Sequence, residues 1–161
     1  MQLLTDEQIE ARAARAMDLF RQGFNCSQSV FASVADLYGI ADEALALRLS
    51  ASFGGGIGRM RQTCGAACGM FLLAGLQNGS ATAGDVEGKK QNYALVQQLA
   101  NQFKAEHGSL ICSELLGLAP RQQPASDPTP APRTEEYYKK RPCVEMVGNA
   151  VRMYLKTVGN E

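Results

Sequence analysis

The sequence predicts an all-α protein, a single-domain bundle of about six or seven helices. Apolar residues recur at intervals of three and four in successive segments, most of which open on a capping residue and close on a glycine. No segment alternates apolar and polar residues as a half-buried strand does. With 161 residues, the chain can bury a core without a disulfide scaffold or a structural metal.

Two capped helices are predicted at the start of the chain. Thr5 opens a capping-box pattern, which places the first helix at about residues 6–22. Asn25 can cap a second helix, whose apolar positions continue to Gly39. Cys26 then falls in the first turn of this second helix.

The central third predicts two more helices separated by a glycine-rich loop. Asp42 can cap the third helix, which stops at residues 54–58. Thr63 is placed to cap a fourth helix that is apolar on every side, as expected at the centre of a bundle. Cys64 falls in the first turn of that helix, and Cys68 lies one turn further on the same face, where the two could share a ligand.

The C-terminal half predicts one long, one short and one final helix. Asp85 opens the long amphipathic helix, and Ser109 can cap a short helix with Cys112 in or just after its first turn. Pro142 suits the first position of the last helix, which puts Cys143 at the next position. The short helix and the final helix therefore each start close to a cysteine, whereas the long helix does not.

A proline-rich segment interrupts the helical pattern near the C-terminus. Five prolines occur between Pro120 and Pro132, a composition that favours an extended connection. We expect a linker or flap at about residues 119–134. The whole chain, residues 1–161, is otherwise expected to form one helical domain.

Charge and hydropathy limit which partners and which cellular compartment are expected for this chain. The chain has 16 basic and 16 acidic residues, so it has no net field to attract nucleic acid, and no nucleic-acid partner is expected. The longest apolar run, residues 64–76, is too short for a membrane span, so no membrane association is expected. The N-terminal segment lacks the pattern of a secretory signal, which predicts a cytoplasmic protein.

Two glycine patterns favour close packing or ligand binding. The loop at residues 54–58 precedes Arg59 and Arg61, an arrangement that could cradle an anion, although it lacks the Lys-Ser/Thr of a P-loop. Gly65 and Gly69 share one face of the fourth helix, which favours close approach of another helix. A homodimer through this small-residue helix is a further expectation.

The cysteines are the main candidates for chemistry. The chain has five, an odd number that argues against a disulfide framework and favours catalysis, redox sensing or metal ligation. A helix start favours a thiolate over a thiol, so low thiol pKa values are expected at four of them. These four candidate catalytic or metal-binding residues are Cys26, Cys64, Cys112 and Cys143.

Three functional hypotheses remain open at this point. In the first, Cys64 attacks a disulfide or an oxidant and another cysteine resolves the mixed species, with Cys143 able to approach through the mobile proline segment. In the second, the four cysteines ligate an iron-sulfur cluster or zinc without thiol-disulfide turnover. In the third, the protein is a helical interaction protein with buried thiols. A Cys-His hydrolase is disfavoured because His107, the only histidine, suits a helix C-terminus instead.

The ordered motifs resemble one known family. GFNCSQSVF around Cys26, FGGGIGRMRQTCGAACG around Cys64, HGSLICSELLG around Cys112 and the late Cys143 are together similar to the redox-active protein family C_GCAxxG_C_C. The resemblance implies a redox-active bacterial or archaeal cytoplasmic protein with these four cysteines in the signature positions. We therefore expect thiol-disulfide or electron-transfer chemistry with an unidentified redox partner. Cys68 is an addition to the usual four.

Overall fold

The computed structural model describes residues 3–118 and 127–159, and within this part the chain is all-α without a strand, which confirms the predicted class. Residues 3–118 and 127–159 contain eight α-helices and two short 3-10 helices. The α-helices are α1 (Asp6–Arg21), α2 (Cys26–Ala32), α3 (Glu43–Ser50), α4 (Gly65–Asn78), α5 (Val86–His107), α6 (Cys112–Leu115), α7 (Glu135–Lys140) and α8 (Cys143–Gly159). The 3-10 helices are Ala35–Tyr38 and Ala51–Phe53.

Side-chain caps fix four of the helix starts at the predicted residues. Thr5 and Asn25 each form a complete capping box, at α1 and α2 respectively. The carboxylates of Asp42 and Asp85 accept backbone N–H groups in the first turns of α3 and α5. Each such cap stabilises its helix by about 1 kcal/mol because it satisfies an otherwise unpaired N–H.

The start of α4 differs from the prediction. Thr63 is not its cap, because Thr63 is drawn into a short antiparallel pairing with Ile111. The backbone N–H of Cys64 donates to the Leu110 carbonyl at 2.7 Å, so residues up to Cys64 are extended and Cys64 itself occupies the N-cap position. The pairing joins the segment before α4 to the segment before α6.

The starts of α6 and α8 also shift by one position or more. Ile111, not Ser109, is the N-cap of α6, and the Ser109 hydroxyl accepts the Ile111 N–H instead. The Pro142 carbonyl accepts the N–H of Met146, so proline precedes α8 and Cys143 is its first residue. Both shifts bring the cysteines closer to the helix ends than predicted.

The core lies between α1, α2, α4, α5 and α8, with α4 in contact with three of the others. Gly69 of α4 lies against Val30 of α2, where an added Cβ would be 2.7 Å from the valine Cβ. The predicted close approach at the small-residue face is thus confirmed, but it occurs within one chain. This face is therefore occupied by α2, and the expected homodimer stays a prediction.

The short helix α7 is absent from the sequence-based prediction. Thr134 caps it, and Tyr137 and Tyr138 pack against Phe20 of α1 with ring centroids 6.5 and 6.3 Å away. Residues 119–126 of the predicted flap lie outside the described residues, whereas 127–134 lead into α7. Within the described ranges, no helix is long and apolar enough to cross a bilayer.

Candidate functional site

Four cysteines line one cavity of about 390 Å³. Each belongs to a different helix start: Cys64 is the N-cap of α4, and the others are the first residues of their helices. The structure therefore confirms their predicted placement at helix starts and shows that the four starts meet. The cysteines are Cys26 of α2, Cys64 of α4, Cys112 of α6 and Cys143 of α8.

The fifth cysteine is excluded from this cavity. Cys68 is only 6% exposed, and its thiol lies 3.8 Å from the Thr63 carbonyl, to which it can donate. Since Cys68 does not line the cavity, the expectation that it shares a ligand with Cys64 finds no support. All five cysteines are free thiols.

A left-handed turn leads into Cys64. It holds the positive-φ glycines of the loop together with three non-glycine residues in the same conformation, Ile57, Arg59 and Arg61, at φ of 62°, 64° and 62°. Each such residue costs on the order of 1–3 kcal/mol, and strain of this kind persists only where its surroundings enforce it. Here six consecutive backbone N–H groups from residue 57 onward donate within the turn, for example Gly58 to Ser52 at 2.7 Å. The turn places two arginines beside the cavity.

Two glycines, which have no side chain, allow the cysteines to lie close to the neighbouring backbone. A Cβ added to Gly65 would lie 2.4 Å from the Cys26 sulfur, and one added to Gly56 would lie 2.6 Å from the Cys112 Cβ. Real Cβ atoms do not approach other atoms this closely, so both glycines are required at these positions. The glycine-rich motif thus shapes the cavity as well as the turn.

Four arginines line the cavity, and among the described residues its lining includes no Asp, Glu or His. Arg59 is paired with Asp127, at 3.3 Å between Nη1 and Oδ2. Among the described residues, no carboxylate pairs with any of the other three. These are Arg61, Arg133 and Arg141.

Each unpaired arginine is held in place by other contacts. Arg61 Nη1 lies 3.7 Å from the Cys112 sulfur and can donate to it. Arg133 donates to the carbonyls of Phe20 and Phe24, and Arg141 stacks on the Tyr137 ring at 4.5 Å. α7, which the sequence analysis missed, thus supplies the aromatic surface that orients a cavity arginine.

Burial controls the acidity of these thiols. Burial and, to a smaller extent, the electrostatic effect of Cys26 raise the pKa of Cys64 well above its ordinary value and the pKa of Cys143 to about 12. Burial also raises the pKa of Cys112, although Arg61 opposes the shift. The expectation of low thiol pKa values is therefore wrong for these three cysteines.

The physical reason is a competition between two effects on the thiolate. The N–H groups of Ala66 and Ala67 lower the pKa of Cys64, as the helix-start argument requires. Desolvation is the larger effect there, because burial removes more of the water that stabilises the thiolate than the N–H groups of the helix start can replace.

The only histidine lies elsewhere. His107 does not line the cavity; its ring packs on Phe103 with centroids 4.5 Å apart, and burial lowers its pKa. A Cys-His hydrolase therefore has no base at this site. Among the residues described, no group of three or more His, Cys, Asp or Glu side chains is arranged to hold a metal ion.

A comparison with protein families bears directly on this cysteine cavity. The sequence model of the family described as "putative redox-active protein (C_GCAxxG_C_C)" matches residues 24–157, which include all four cavity cysteines. The chain belongs to this family. No curated protein and no solved structure matched it. Membership of the C_GCAxxG_C_C family confirms the resemblance drawn from the motifs, while the roles of individual cysteines stay predictions.

Proposed function

We propose that this C_GCAxxG_C_C protein is a thiol-dependent oxidoreductase whose cavity cysteines alternate between dithiol and disulfide. The observation that supports this most directly is the meeting of four free thiols, from four separate helix starts, in one cavity. Cysteines that only fill space in a core need not lie around one cavity. Cys68 is such a residue, since it is buried outside the cavity with its thiol against the Thr63 carbonyl.

The proposed reaction is the reduction of a disulfide. One cavity thiolate attacks a sulfur of the substrate, which forms a mixed disulfide and releases one substrate thiolate to take up a proton. A second cavity thiolate then attacks the protein sulfur of that mixed disulfide and releases the other substrate thiol. Two electrons pass to the substrate, and a dithiol partner returns them to the protein.

Cys112 is the best candidate for the attacking cysteine, in place of the Cys64 favoured by the sequence. Arg61 lies within donating distance of the Cys112 sulfur, and a guanidinium at that distance stabilises a thiolate. The Cys64 thiolate is stabilised by backbone N–H groups, but no arginine contributes to lowering the pKa of Cys64. Since burial raises the pKa of Cys112, the rate of attack should increase with pH through the alkaline range.

The metal hypothesis would use the same four thiols as ligands for zinc or an iron-sulfur cluster. It is less well supported, because the described residues offer no preformed set of three or more ligands. A cytoplasmic location suits the proposed function, since a reducing compartment returns cysteines to the thiol state.

A redox titration tests the proposal. The reduced protein is equilibrated in mixtures of a small dithiol and its disulfide, and the remaining thiols are counted by maleimide labelling and mass spectrometry after unfolding. We expect two thiols to be lost together, both from the cavity set, while Cys68 remains labelled. Retention of all five thiols in strongly oxidising mixtures, or loss of Cys68 first, would contradict the proposal.

A further inference from the structure

The cavity carries charge of one sign. In the part of the chain that the structure describes, its lining holds four arginines and no carboxylate, and of these arginines only Arg59 is paired with an acid, Asp127. The chain as a whole has equal numbers of acidic and basic residues, so this concentration is local and not a consequence of composition. Three guanidinium groups therefore face one cavity without a protein counter-charge among the described residues.

The arginines come from two distant parts of the sequence, the turn before α4 and the segments on either side of α7. Arg61 follows the left-handed turn in a strained conformation, Arg133 is in the segment before α7, and Arg141 precedes α8. Arg133 and Arg141 are held through carbonyl and aromatic contacts, which fix their positions and leave their charges uncompensated. Such preorganised guanidinium groups are suited to binding carboxylate or phosphate oxygens.

The cavity has the size of a small-molecule site. Its volume of about 390 Å³ lies at the lower end of the usual range for ligand pockets. Leu115, Leu116 and Met146 add an apolar wall. A folded partner protein could not enter a space of this size, but a small disulfide could.

We propose that the cavity binds a small anionic molecule, and that the substrate of the redox reaction is accordingly a low-molecular-weight disulfide carrying negative charge, or the corresponding thiol. The redox part of this statement rests on the proposed function; the anion-binding part does not. Arg61 and Arg141 would hold the anionic group beside the thiols of Cys112 and Cys143. Arg61 lies 3.7 Å from the Cys112 sulfur and, with Arg141, lowers the pKa of Cys112, whereas Arg141 and Arg133 lower the pKa of Cys143.

Two alkylating reagents test the charge preference without any electron transfer. Iodoacetate and iodoacetamide are similar in size, and both lose iodide to a thiolate, but only iodoacetate is an anion. The rate constant for each is measured at Cys112 and Cys143 in the full-length reduced protein by peptide mass spectrometry. The ratio of the two rate constants cancels the thiolate fraction, so it reports the charge of the site alone.

We expect the iodoacetate to iodoacetamide ratio to be about fivefold or more higher in the folded protein than in the urea-unfolded chain, since one cation about 4 Å away has an effect of this order even in water. Arg61→Gln and Arg141→Gln should each lower the ratio. Arg48→Gln removes an exposed arginine of α3 that does not line the cavity, and should leave it unchanged.

Equal ratios in the folded and unfolded protein would overturn the anion proposal, as would ratios unaffected by both cavity substitutions. Circular dichroism verifies that each variant is folded, and the two arginines provide independent tests. A charge preference without disulfide formation in the redox titration would reject the proposed function and retain the anion site. The reverse result would retain the function and reject the site.

Discussion

Replacing Cys112 by serine is expected to lower the rate of disulfide reduction by about 10³-fold or more, because a serine hydroxyl cannot act as the attacking thiolate. The change is small in volume, and Cys112 lies at the start of a four-residue helix, so the fold should persist. Turnover is measured with a small anionic disulfide and a dithiol donor, and thermal unfolding is compared in parallel.

Two further serine variants identify the roles of the other cysteines. Cys68→Ser is the matched control, because Cys68 is buried but does not line the cavity and serine can also donate to the Thr63 carbonyl. Cys68→Ser should therefore retain turnover. Cys64→Ser should abolish turnover, and if Cys64 is the cysteine that resolves the mixed disulfide, the substrate should remain attached to Cys112 in this variant. Full turnover in Cys112→Ser, or its loss in Cys68→Ser, would contradict the proposed assignment.

Gly56→Ala is expected to have the largest effect on stability, lowering the free energy of unfolding by about 2–5 kcal/mol. At φ of +74° any side chain is strained, and the new Cβ would also lie 2.6 Å from the Cys112 Cβ and 2.7 Å from the Gln62 nitrogen. The backbone atom cannot move aside as a flexible side chain would. Urea unfolding measures the change.

Gly39→Ala separates the two causes. Gly39 has a similar φ of +83°, but an added Cβ there would meet no atom within 4 Å. It should therefore show the conformational cost alone, about 1–2 kcal/mol. Equal losses in the two variants would show that the glycine-rich turn does not press against Cys112 as described.

The sequence predicted the elements whose signals are local. Thr5, Asn25, Asp42 and Asp85 cap the helices as expected, because an N-cap and its partner lie within a few residues. Thr63 failed as a cap because Ile111, far along the chain, pairs with its backbone. No local pattern could indicate that pairing.

The candidate site shows the same division. The helix-start cysteines and the turn arginine Arg61 were recognisable from spacing, but the contributions of Arg133 and Arg141 were missed. Arg141 could have been found from the sequence, because it is a basic residue only two positions before Cys143. Arg133 could not, because it reaches the cavity only through the packing of α7 on Phe20. The direction of the thiol pKa shifts was mistaken because burial, which raises them, depends on the whole fold.

Metal analysis of protein purified without oxygen, from cells supplied with iron and zinc, tests most directly whether the cavity cysteines act as redox thiols or as ligands. If they act as redox thiols, iron and zinc contents should be far below one per chain, with all five thiols available for labelling after unfolding. Near-stoichiometric iron or zinc in the wild type, lost in Cys64→Ser but retained in Cys68→Ser, would contradict the redox role and make Cys64 a ligand of a metal centre in the cavity.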